Sequence, residues 1–67
     1  MSYREQYRIL LKNISRFKSG ERFTVSEVIV SPQANVGKTF FKEVADGSIS
    51  NVRHIGKKNG VDEYQTI

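Results

Sequence analysis

Residues 52–67 read VRHIGKKNGVDEYQTI, and the Asn59-Gly60 pair inside that stretch decides how the chain folds at this end. A two-residue type I′ turn needs positive φ at both central positions, and Asn-Gly supplies it more readily than most pairs. Strands are therefore expected near residues 50–57 and 61–67. A two-residue turn sets Lys58 opposite Val61, Ile55 opposite Tyr64 and Val52 opposite Ile67. Ile55 and Tyr64 then share one face, and Val52 and Ile67 the other. Because Ile49, Val52 and Ile55 recur at every third position, a bulge or an irregular strand start is expected to bring Val52 inward.

Upstream, SPQANVGKTFFKEVADGS (residues 31–48) reads as a turn followed by a helix. Pro32, Gln33 and Ala34 bridge, Asn35 caps or enters the first turn, and Asp46-Gly47 ends the segment. Val36, Phe40, Phe41 and Val44 are expected on the core side, with Lys38, Thr39, Lys42 and Glu43 opposite. Gly37 is expected to let another helix approach closely. The triplet Gly37-Lys38-Thr39 also matches the end of a phosphate-binding G-x-x-x-x-G-K-[ST] loop. Five residues before Gly37, however, stands Pro32, which has a fixed φ and no N–H to offer a phosphate. Such a loop also belongs to a doubly wound parallel sheet, which 67 residues cannot build. The triplet is read as the start of a helix.

Before it, ERFTVSEVIVSPQ (residues 21–33) gives a short extended piece at Arg22-Phe23 and then Thr24-Val25-Ser26-Glu27, a capping-box pattern. A short helix from about Val25 to Val30 is expected, burying Val25, Val28 and Ile29 and stopped by Pro32. The β-branched run argues for a strand instead, and the cap favours the helix. The first segment, SYREQYRILLKNISRFKSG (residues 2–20), is an amphipathic helix with Tyr7, Leu10, Leu11, Ile14 and Phe17 on the apolar side. Ser2 and Glu5 form a second capping box, Lys18 suits the last turn, and Gly20 supplies a left-handed stop.

Composition narrows what such a chain can do. Sixty-seven residues make one small domain, 1–67, and the absence of Cys excludes a disulfide framework or a thiolate metal site. No apolar run approaches a membrane span or a secretory leader, so a cytoplasmic address and no membrane partner are expected. Eleven Lys+Arg against seven Asp+Glu give a net charge of +4, which favours acidic partners such as nucleic acid and equally serves as solubilising surface charge. Arg4, Arg8, Lys12 and Arg16 recur at every fourth position along the first helix. That ridge is either a solvated face or a contact surface for a nucleic-acid backbone or an acidic protein partner. His54 is the sole histidine and reads as a surface residue. No metal site, no cofactor loop and no nucleophile-and-base pair can be assembled, so no enzyme is expected.

The element order, three helices and a terminal hairpin in an α+β chain, resembles a winged helix-turn-helix domain. ERFTVSEV (residues 21–28) is similar to the entry into the second helix of such domains. VGKTFFKEVADGSISNVRHIGKKNGVDEY (residues 36–64) is similar to a third helix, a linking strand and a wing. The likeness is to small single-domain winged-helix proteins of bacteria and their phages. It implies binding to double-stranded DNA and a role in transcription regulation, with the third helix in the major groove and the wing on the backbone. Residue by residue it nominates Gln33, Asn35, Lys38, Thr39 and Lys42 around the third helix. In the wing it nominates Arg53, Lys57 and Lys58, with neutral His54 beside them. Lys38 and Lys42 suit phosphate or guanine, and Gln33 or Asn35 suits adenine. The third helix carries Glu43, with Asp46 at its end, and no arginine. Those acids, together with Tyr3 and the basic ridge, support a second reading: an adaptor or inhibitor that binds a protein and not DNA. A homodimer and a monomer both suit the sequence.

The phosphate-loop reading has a direct check. ATP or GTP with magnesium is expected to leave the melting temperature unchanged; a saturable rise would restore nucleotide binding.

Overall fold

In the computed structural model, which describes residues 2–67, the Glu5 backbone N–H donates to Ser2 Oγ at 3.2 Å and opens α1, Tyr3–Ile14. The helix stops four residues before Lys18, so Lys12 is the cation of its last turn. Ser15 Oγ donates to the Lys12 carbonyl at 2.6 Å and takes up an acceptor that a continuing helix would use. Phe17 reaches the core from the turn that follows, edge-on to Phe23 at 5.3 Å. Gly20, at φ 89°, shapes the approach to the sheet and is not a helix cap; its N–H donates to the Thr66 carbonyl at 2.8 Å. Leu10 and Ile14 are buried, whereas Leu11, expected in the core, is exposed.

Strand β1, Arg22–Thr24, leads directly into α2, Val25–Val28. Thr24 N–H donates to Glu27 Oε1 at 2.9 Å, so Glu27 closes the helix start as its spacing suggests. The helix is a single turn and ends two residues earlier than expected. Ile29 is already extended (φ −129°, ψ 149°), as a run of β-branched residues favours. Ile29 turns inward and Val30 points into solvent. Ser31 then adopts φ 46° immediately before Pro32.

Helix α3, Ala34–Ala45, has Gln33 as its N-cap and Asn35 in its first turn. Val36 and Phe40 are completely buried. Phe41 is not: it is 41% exposed, because neighbouring residues on a helix lie about 100° apart and the core takes only one of the pair. Gly37 makes no close helix contact, since a Cβ built there would meet nothing within 4 Å.

Strands β2, Val52–Lys58, and β3, Val61–Thr66, close the chain as an antiparallel hairpin. Asn59 (φ 54°) and Gly60 (φ 83°) both have positive φ, and Lys58 faces Val61 as the turn requires. A bulge lies between His54 and Gly56, the latter at φ 134°. It shifts the remaining register by one residue, so His54 faces Tyr64 and Val52 faces Thr66 in place of the expected Ile55–Tyr64 and Val52–Ile67 pairs. Val52 is thereby buried, as the bulge argument anticipated. β3 is the central strand of a three-stranded antiparallel sheet, order β1-β3-β2. The chain is thus α+β, with three helices against one small sheet. No helix among the described residues is long and apolar enough to cross a membrane.

The core is an aromatic knot. Phe40 meets Tyr64 edge-on at 4.7 Å, and Phe23 lies 5.7 Å from Tyr64 and 6.2 Å from Phe40. Leu10, Ile14, Ile29, Val36 and Val52 surround it. Phe40→Ala is expected to cost about 3–5 kcal/mol, a large part of the stability of so small a domain, whereas Phe41→Ala should change the urea midpoint little. Equal losses at the two positions would contradict this rotation of α3.

Candidate functional site

The rotation that buries Phe40 leaves Gly37, Lys38 and Phe41 on the side of α3 that faces the hairpin. Between them runs an open groove of about 830 Å³. Val25 and Pro32 wall it from the α2 side, and His54, Lys57, Val61 and Asp62 wall it from the hairpin. Tyr64 forms part of its floor. Phe41 meets the His54 ring edge-on at 5.1 Å, and His54 meets Tyr64 in the same manner at 5.5 Å. The bulge makes this possible, because the register it creates sets His54 opposite Tyr64.

The groove is apolar along its floor and cationic at its sides. Lys38 comes from α3 and Lys57 from β2, both exposed, and neither has an ion-pair partner among the described residues. Two other polar side chains of the hairpin are engaged. His54 Nε2 lies 3.0 Å from Asp62 Oδ1, and Lys58 Nζ donates to Glu27 Oε2 at 3.2 Å. The Glu27 carboxyl is held below its ordinary range, first by the Thr24 N–H and then by Lys58. Burial, with Asp62 beside it, pushes the Tyr64 phenol up to about 12.

The far flank of α3 is tied to α1. Tyr3 OH donates to Thr39 Oγ1 at 2.7 Å, and one turn along Tyr7 OH donates to Glu43. Burial first, then the Glu43 hydrogen bond, raises the Tyr7 phenol well above its ordinary value. Thr39 and Glu43 therefore face the first helix, contrary to the outward position expected for them. Gln6 adds a clamp from the same helix, accepting the Gln33 N–H at 2.9 Å and donating to the Ser31 carbonyl at 3.4 Å.

Of the residues nominated from sequence, the groove gathers Gln33, Lys38 and Lys57, with His54. Asn35 and Lys42 are exposed on α3 outside its lining, Arg53 donates to Gln65 Oε1 at 2.8 Å, and Lys58 is paired with Glu27. Thr39 is engaged by Tyr3. Arg4, Arg8, Lys12 and Arg16 line no part of the groove. The residues that sequence reasoning missed are Phe41, Pro32 and Val61; for Phe41 the signal was available in the adjacent Phe40-Phe41 pair, since one core face cannot take both. No group of three or more His, Cys, Asp or Glu that could hold a metal occurs among the described residues.

The arrangement is that of a small α+β domain with a broad groove between a helix and a β-hairpin. A solved structure with a similar fold is the SCCmec type IV nucleic acids binding protein LP1413, at a TM-score of 0.78. The alignment covers 97% of this chain and 92% of that one at 23% identity, and so establishes a shared fold. No protein-family model and no curated protein matches the sequence.

Proposed function

We propose that this chain is a winged-helix nucleic-acid-binding domain that holds its ligand along the groove between α3 and the terminal hairpin. The observation that carries the reading is the convergence of Lys38 and Lys57, both without carboxylate partners among the described residues, on a groove floored by aromatic rings. Lysines on either side of a groove suit a phosphate backbone, whose neutralisation dominates the affinity of such proteins. The similar fold of a protein described as binding nucleic acids supports the reading.

As a DNA regulator or accessory protein, the domain presents Asn35, Lys38 and Lys42 from α3 to a duplex, and the hairpin meets the flanking backbone with Arg53 and Lys57. One observation favours an unpaired strand instead. Phe41 is exposed in the groove and edge-on to His54, and an exposed aromatic face stacks on bases that only an unpaired strand offers. A duplex major groove offers Phe41 little beyond a thymine methyl.

Salt titrations on duplex and single-stranded oligonucleotides test both. Log affinity is expected to fall linearly with log salt, by about 0.9 per phosphate neutralised on duplex and about 0.7 on single strands. Lys38→Ala/Lys42→Ala and Arg53→Ala/Lys57→Ala should each weaken binding and flatten the slope by about one to two units. Phe41→Ala should cost about 1–3 kcal/mol on the single strand and little on the duplex if bases stack there. Weak, unsaturable binding that disappears by physiological salt would overturn the proposal.

A further inference from the structure

A second hollow, of about 320 Å³, shares no lining residue with the groove. Gln6, Ile9 and Asn13 line it from α1, and Val28, Ile29 and Val30 line it from the end of α2 and the turn beyond. Val30 is 89% exposed, more than any other large apolar side chain among the described residues, and Ile9 is 36% exposed. Neither exposure serves the core. The turn carrying Val30 is nevertheless held firmly: Asn13 Nδ2 donates to the Val28 carbonyl at 3.3 Å, and Gln6 bonds to Ser31 and Gln33 on the other side of Val30. An apolar knob fixed in place before binding loses little freedom when a partner covers it.

Cations outnumber carboxylates on the exposed side of α1 beside this face. Lys12 stands one turn beyond Ile9 and Glu5, the single carboxylate of α1, one turn before it, while Arg4, Arg8 and Lys12 form a row at i, i+4 spacing farther round the helix. None of the three cations has an ion-pair partner among the described residues. A nucleic-acid backbone would use the cations and leave Ile9 and Val30 against phosphate, which gives an apolar side chain nothing. A second copy of the chain would bring two cation-rich sides together. An acidic protein segment with apolar anchors satisfies both halves of the surface.

We propose that the α1 face and the α2–α3 turn form a docking site for an acidic amphipathic segment of another protein. An apolar anchor sits between Ile9 and Val30, and its flanking carboxylates meet Arg8 and Lys12. Because this face and the groove are lined by separate residues, one domain can hold nucleic acid and protein together.

Panning a displayed library of random peptides against the wild-type protein, with Val30→Glu as counter-selection, tests the site. The expected winners carry an excess of Asp and Glu together with large apolar residues at i, i+3 or i, i+4 spacing. A synthetic peptide of the winning sequence should bind at least about tenfold more weakly to Val30→Glu, and also to Arg8→Glu/Lys12→Glu. Val30 is so exposed that its replacement should leave the melting temperature unchanged, which is checked on the same samples. Oligonucleotide affinity of Val30→Glu should equal that of wild type, so failure of this site and failure of the groove reading are separable. The proposal is overturned by winners without acidic excess, by binding that survives Val30→Glu, or by no enrichment over the counter-selected variant. Self-association of the wild type that Val30→Glu abolishes would assign the face to a second copy and overturn it equally.

Discussion

The edge-on contact between Phe40 and Tyr64, 4.7 Å between ring centroids, is the contact on which the rest of the molecule turns. It joins α3 to β3, the central strand of the sheet, and both side chains are almost wholly buried. Without disulfides, a chain this small must draw its stability from such packing. Once Phe40 points inward, helical geometry leaves no choice for its neighbours: Phe41 and Lys38 fall toward the hairpin, and Thr39 and Glu43 fall toward α1. The two tyrosine bonds from α1 then hold that rotation from the other flank. The groove is thus a by-product of how the core is filled.

The hairpin contributes its half through an irregularity. A regular ladder would have placed Ile55 opposite Tyr64 and given the groove an aliphatic wall. The bulge at Ile55 substitutes His54, whose ring bridges Phe41 and Tyr64 and whose Nε2 engages Asp62. The charge balance of the site follows from the same step. Asp62 attends to His54 and Glu27 to Lys58, which leaves Lys38 and Lys57 as the cations available along the groove.

Local signals were legible in the sequence wherever one residue type has one dominant physical use. Asn59-Gly60 specified its turn, Thr24 and Glu27 specified the start of α2, and Ser2 specified that of α1. The need for a bulge was also readable, from apolar residues spaced by three in a strand whose period is two. What was not readable was which of two adequate candidates the core would take. Phe40 and Phe41 are the same residue type in adjacent positions, and only the placement of Tyr64 selects between them. The ends of α1 and α2 were misplaced for a related reason: Ser15 and Ile29 leave the helix through local bonding and β-branching, against apolar periodicity that runs on past them. Among the nominated site residues, charge alone did not reveal that Thr39, Arg53 and Lys58 have partners within the chain.

The chain contains no tryptophan, so Phe41→Trp places a single fluorophore in the groove. Titration of that variant with labelled oligonucleotides, following tryptophan emission and label anisotropy together, reports at once whether nucleic acid binds and whether it lies on position 41. The groove reading predicts saturable quenching of the tryptophan that tracks the rise in anisotropy at every concentration. A rise in anisotropy with unchanged emission would mean that nucleic acid is bound elsewhere on the surface, and would contradict it.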